Sequence, residues 1–183
     1  IRNVLENCCS IMSQAAKEKG LKLYSYIHPD IPDKVNGDDT RLAQVMINLI
    51  SNAIKYTDQG HIYVSCIIED NKLVIACKDT GIGISEQDIE NKLFKPYSRC
   101  VEGSIFEAFQ NTNGRQGFGL GLKICQNLVQ LMQGEISAKS VLNEGTTFFV
   151  TLPLHVVEDR KPIRKENTEV VLFSSLICRQ VCC

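Results

Sequence analysis

The stretch QVMINLISNAIKYT, residues 44–57, decides the fold of this chain. With Leu42 just ahead of it, its apolar residues Val45, Met46, Leu49, Ile50, Ala53 and Ile54 recur at three- and four-residue steps. That spacing predicts an amphipathic helix with this face in the core. At about 100° per residue, Gln44, Asn48, Asn52 and Lys55 fall within roughly 80° on the other side and form one polar stripe. Asn is a mediocre helix former because its amide competes for backbone hydrogen bonds, so two on one helical face point to a task for the amide oxygens. Neutral oxygen ligands suit Mg²⁺, which keeps several waters and takes further ligands from phosphates. Lys55, one turn on, offers a point charge to the same groups.

Downstream, residues 60–70 (GHIYVSCIIED) and 72–80 (KLVIACKDT) are rich in β-branched and aromatic residues, and Asn71 separates them. They read as a hairpin that ends at Asp79. DTGIGI follows at 79–84. A carboxylate fixed at a strand end accepts a hydrogen bond from an exocyclic amine such as that of adenine, and Gly81 and Gly83 let the backbone approach a flat ring. A turn with a helix cap is the alternative for this segment taken alone. GFGLGL at 117–122 opens a helix over 118–133 that stops at Gly134, with Leu120, Ile124, Leu128, Val129, Leu131 and Met132 as its apolar positions. Its glycines lie at the N-terminus, where free N–H groups and the helix dipole favour an anion. No strand precedes them within a βαβ unit, which argues against a Rossmann dinucleotide motif.

These pieces, in this order and spacing, resemble the catalytic domain of sensor histidine kinases. NLISNAIKYT resembles the N box, DTGIGI the G1 box, LFKPYSR at 93–99 the F box and GFGLGL the G2 box. The resemblance covers residues 1 to about 155. It implies an α/β fold of the α+β two-layer type, shared with DNA gyrase, mismatch-repair ATPases and heat-shock chaperones. A mixed sheet packs there against a layer of helices, and ATP lies on the helical side under a mobile lid.

The resemblance further implies Asn48 as magnesium ligand, Asn52 and Lys55 at the phosphates, Tyr56 against the base and Asp79 on the adenine amine. Gly81 and Gly83 would flank the base, and Gly117, Gly119, Leu120 and Gly121 the phosphates. Arg99 takes the position of a cation for the γ-phosphate, with Arg115 as a second candidate. A second F-box-like string, IFEAFQN at 105–111, makes it open which copy is functional, and Arg99 loses its role if the second is. Hydrolysing members of the superfamily resemble this helix but carry a glutamate four residues before the metal-binding Asn; Gln44 stands there in this chain. A neutral amide is no general base at pH 7, whereas a neutral imidazole nucleophile needs none. Gln44 therefore favours phosphotransfer to histidine over hydrolysis. An ATP-binding module without transfer, and an ATPase of the gyrase or chaperone type, are the other readings.

No string resembles the acceptor motif HELRTP. His28 lies in a proline-rich turn, His61 starts a strand and His155 follows the last one, so all three read as structural or exposed. The chain thus reads as a catalytic fragment: residues 1–20 as the end of a helix from a missing dimerisation domain, 21–155 as the ATP-binding domain, 156–169 as a charged linker and 170–183 as the start of a further domain or a tail. The expected partners are a histidine-bearing dimerisation domain of the same parent protein and a downstream receiver domain, in a homodimeric parent and a monomeric fragment. The strand LKLYSYI follows the first helix, Asp38 or Asp39 caps the N-box helix, and segments from 134 and 145 form a second hairpin.

Composition fits one domain of 183 residues, 44% hydrophobic and 22% charged. A formal charge of −1 gives no electrostatic case for nucleic acid or a membrane surface. No apolar run reaches the roughly 20 residues that span a bilayer, so the expected location is cytoplasmic, with any membrane anchor elsewhere in the parent. Of nine cysteines, Cys66, Cys77 and Cys125 fall within apolar patterns, and the Cys8-Cys9 and Cys182-Cys183 pairs lack zinc-binding spacing. An odd, scattered set suggests a reducing compartment, with redox sensing at the tail as the other reading.

Overall fold

A computed structural model of the chain describes residues 1–95 and 120–156. Arg99, Arg115, Gly117, Gly119, the end of the first F-box-like string, all of the second and the segment after 156 lie outside the described residues.

Among the described residues, four helices, α1 (Arg2–Glu18), α2 (Asp39–Tyr56), α3 (Glu86–Asn91) and α4 (Gly121–Leu131), accompany five strands: β1 (Lys22–Ile27), β2 (His61–Glu69), β3 (Lys72–Asp79), β4 (Glu135–Val141) and β5 (Gly145–Pro153). The strands form one mixed sheet in the order β1-β2-β3-β5-β4, with β1 parallel to β2 and every other pair antiparallel. Asp70 and Asn71 take positive φ (47° and 58°) in the β2–β3 turn. A two-residue turn with both centres left-handed matches strand twist, and Asp and Asn tolerate that conformation.

One face of the sheet carries the core: Ile62, Val64 and Cys66 on β2, Leu73, Ile75 and Cys77 on β3, Phe148, Val150 and Leu152 on β5. Against it lies α2, whose Leu42, Val45, Met46, Leu49, Ile50, Ala53 and Ile54 are all buried. Burying a side chain of this size contributes about 1.5–3 kcal/mol, so this helix face is a main source of stability. Asp38 caps α2, accepting from Arg41 N at 2.8 Å. Its other end is held by Lys19, whose Nζ donates to the carbonyls of Ile54 and Lys55 at 2.8 and 2.9 Å. A cation thus meets the negative end of the helix dipole where orphan carbonyls need donors.

The outer helices turn most of their apolar residues to the core and leave a few exposed. In α1, Leu5, Cys8, Cys9 and Ala16 are buried while Ile11 is 64% exposed; in α4, Cys125 and Val129 are buried while Leu131 is 64% exposed. Cys125 Sγ donates to Val45 O, packing α4 across α2. Small cysteines at these contact positions permit close approach of the helix backbones.

Candidate functional site

Four segments converge at the C-terminal end of β3. Asp79 ends that strand and is only 5% exposed. Its Oδ1 accepts from Gly81 N at 2.9 Å and from Thr146 N, on β5, at 3.2 Å. Burial pushes the Asp79 carboxyl above its ordinary range, against the two backbone bonds, which pull it down.

The loop after Asp79 is clamped on both sides. A Cβ at Gly81 would stand 2.3 Å from Tyr56 O and 2.9 Å from Asp79 Oδ1, so only glycine lets the loop lie on the end of α2. Gly83 has φ +68°, and a Cβ there would stand 2.1 Å from Val141 O. Ile82 N donates to Tyr56 O at 3.2 Å, and Asn143 N donates to Ile82 O at 2.8 Å. Ile84 N donates to Ser140 Oγ, so the β4–β5 hairpin holds the far end of the loop.

On α2, Asn48, Asn52, Lys55 and Tyr56 are half-buried, and Gln44 is exposed. Asn52 Nδ2 donates to Asn48 Oδ1 at 3.2 Å, which fixes the direction of the Asn48 amide. The N-terminus of α4 lies against the same amide: a Cβ at Gly121 would be 2.7 Å from Asn48 Oδ1. Leu120, the N-cap, supplies no side-chain acceptor to the first N–H groups of α4. Lys55 Nζ lies 5.1 Å from the centre of the Tyr56 ring, within cation–π range. The hydroxyl of Thr57, which follows on α2, is buried with no hydrogen-bond partner among the described residues.

The structure therefore brings together Asn48, Asn52, Gly121 and Leu120 at one end of a surface, and Lys55, Tyr56, Asp79, Gly81 and Gly83 at the other. Thr146, Ser140 and Lys19 are the structural contributors that sequence reasoning did not single out. None of the three carries a signal that spacing reveals: Thr146 acts through its backbone N–H, and Lys19 and Ser140 through partners distant in sequence. A separate cavity of about 260 Å³, bordered by Val4, Asp38, Arg41, Leu73, Met132 and His155, opens at the opposite ends of the same elements and contains none of these residues. No cluster of three or more metal-ligating His, Cys, Asp or Glu side chains occurs among the described residues. Burial pushes the Cys66 and Cys125 thiols up to about 12, so both stay protonated and unreactive at neutral pH.

The chain is similar to known proteins in sequence and in fold. The chain is 37% identical over 168 residues to the sensor protein GacS of Pseudomonas syringae pv. syringae, covering 88% of this chain and 17% of GacS. It is 38% identical over 154 residues to the sensor histidine kinase RcsC of Escherichia coli K12, covering 84% of this chain and 15% of RcsC. The chain thus spans less than a fifth of the length of these relatives. In fold it matches full-length ShkA, solved in complex with AMPPNP, with a TM-score of 0.72 at 24% identity over 85% of this chain and 30% of ShkA. The model of the histidine kinase-, DNA gyrase B- and HSP90-like ATPases matches residues 37–156, and to that family the chain belongs.

Proposed function

We propose that residues 21–155 are the ATP-binding catalytic domain of a sensor histidine kinase, which transfers the γ-phosphate of Mg-ATP to a histidine on a separate dimerisation domain. The observation that carries this reading is the buried Asp79 carboxylate, whose Oδ1 is held by two backbone N–H groups while Oδ2 takes neither bond. A carboxylate pinned in this way selects a donor such as the adenine amine. In this reading Gly81 and Gly83 flank the base and Tyr56 lies against it. Asn52, Lys55, Gly117, Gly119, Leu120 and Gly121 face the phosphates, and Arg99 meets the γ-phosphate.

The donor set suits magnesium. Asn48 Oδ1 is a neutral oxygen with a second lone pair beyond the one Asn52 uses, and Gly121 leaves the space beside it that a Cβ would fill. Asn48 would hold the ion together with phosphate oxygens and water. Bound there, magnesium supplies charge neutralisation across the phosphates. The chain's own residues position: Asp79 fixes the base, the N-terminus of α4 offers backbone N–H groups to the phosphates, and Lys55 adds a positive charge. The polar stripe of α2 carries no carboxylate, and exposed Gln44 cannot take a proton from water, which favours an imidazole acceptor.

Further support comes from the sensor kinases GacS and RcsC among the relatives, and from the ATP analogue in ShkA. The remaining partners follow from this reading: a receiver domain downstream, a homodimeric parent, and a cytoplasmic location for this part of it. Offering the purified chain a separate acceptor domain with labelled ATP tests the proposal. An acid-labile, base-stable phosphoimidazole on the acceptor is expected. Nucleotide binding without transfer would replace the proposal by a regulatory module, and release of free phosphate alone by an ATPase.

A further inference from the structure

Ser140 sits on β4 and is assigned no contact with nucleotide, yet its hydroxyl has more partners than any other in the hairpin. Oγ accepts from Ile84 N at 2.8 Å, donates to Gly145 O at 2.8 Å, and lies 2.8 Å from Thr146 Oγ1. A serine hydroxyl has one proton and two lone pairs. With its proton on Gly145 O, it accepts from both Ile84 N–H and the Thr146 hydroxyl, and its capacity is filled.

Those three partners surround Asp79. Ile84 ends the loop whose Gly81 N–H binds Asp79 Oδ1. Thr146 N–H binds the same oxygen from β5. Gly145, at φ +124°, brings the backbone so close that a Cβ would be 2.1 Å from Asp79 O. Loop and strand meet on the same carboxylate oxygen, and Ser140 is a side chain that ties one to the other.

We infer that Ser140 is a positioning residue for base recognition: it locks the 80–84 loop to β5 so that the two N–H groups hold Asp79 with one oxygen engaged and the other aimed at the base. This rests on the nucleotide reading above and assigns Ser140 no contact with ligand. Removing the hydroxyl leaves the Ile84 N–H, the Gly145 carbonyl and the Thr146 hydroxyl each short of a partner. The loop then loses its registration with β5, and Asp79 its fixed orientation.

The test is calorimetric titration of the whole chain with Mg-ATP and with Mg-GTP, alongside thermal unfolding. For Ser140→Ala the dissociation constant for ATP is expected to rise about tenfold, the scale of one lost polar contact. The preference for ATP over GTP is expected to shrink in parallel, because the phosphate end is untouched. Ser140→Thr, which keeps the hydroxyl on a half-buried strand position, is expected to restore both. Ser140→Cys keeps the volume with a weak acceptor, is expected to lie between, and is decisive where the alanine variant does not fold. A merely structural serine would lower the melting temperature and leave the affinity and base preference of the folded protein at wild-type values, which would overturn the inference. With wild type binding ATP and Asp79→Asn failing to bind, that result refutes the role of Ser140 alone; a wild type that binds no ATP overturns the nucleotide reading and this inference together.

Discussion

Replacing Asp79 by Asn separates ligand recognition from stability. In the folded domain Oδ1 serves two backbone N–H groups, at 2.9 and 3.2 Å, and Oδ2 serves neither. An amide has one oxygen to divide among these tasks. Turning it toward a base leaves two buried N–H groups facing an NH₂ group, at about 1–3 kcal/mol each. Keeping it on the N–H groups sets the NH₂ against the adenine amine, donor to donor, and forfeits one charge-assisted bond of about 1.5–3 kcal/mol. The second arrangement is cheaper, so the affinity for ATP is expected to fall about 10- to 150-fold while the fold is kept.

Stability moves the other way, with a pH signature. Burial raises the Asp79 carboxyl above its ordinary value. A group raised in the folded state contributes stability below the unfolded value, about pH 4, and that contribution disappears as pH rises through the folded value. The neutral amide has no such loss. Asp79→Asn is therefore expected to melt at or above wild type at neutral pH, with the gap closing on acidification. Calorimetry with Mg-ATP and unfolding scans from acid to neutral pH measure both. An affinity within about threefold of wild type, less than one hydrogen bond's worth, refutes the base contact; a melting gap that ignores pH refutes the assignment of strain to burial.

Gly83→Ala meets both a positive φ of +68° and Val141 O at 2.1 Å, and is expected to lose about 2 kcal/mol or more, read as a melting point several degrees lower. Gly121→Ala presses on the Asn48 amide at 2.7 Å while improving the helix propensity of α4. It is expected to keep or raise the melting temperature by up to about 1 kcal/mol equivalent while weakening Mg-ATP binding in calorimetry. Lys19→Met removes both donors from the last carbonyls of α2, and about 1–2 kcal/mol of stability, allowing for partial exposure, should be lost in denaturant titration.

Much of the fold was legible because its strongest signal is local. The α2 pattern, the β2–β3 and β4–β5 hairpins and the stop at Gly134 are each written within a short window, where periodicity and turn chemistry decide. The outer helices were less legible: Ile124 and Leu131 match the apolar stripe of α4 yet lie exposed, while the small Cys125 makes the contact with α2. Helix α3 went unnamed, since its six residues carry no buried side chain and rest on the Ser85 cap. At the site, Asp79 and the glycines were visible as types in a pattern. Thr146 was not, because it acts through its backbone N–H, which no side-chain pattern reveals. Ser140 and Lys19 act across 56 and 35 residues of sequence, and such pairings exist only after folding.

The amide pair Asn48 and Asn52 has a division of labour that only the geometry supplies. Asn52 donates to Asn48 Oδ1, so it is the donor that gives the Asn48 oxygen a defined place on the amide that lies beside Gly121. An amide free to rotate would present either end, and its NH₂ end repels a cation. A carbonyl oxygen has two lone pairs, so the bond from Asn52 leaves one for a ligand. The two asparagines are therefore unequal in the proposed site: Asn48 provides the oxygen and Asn52 its direction. Their four-residue spacing follows directly, since on a helix that is the separation at which one amide reaches back to orient the other.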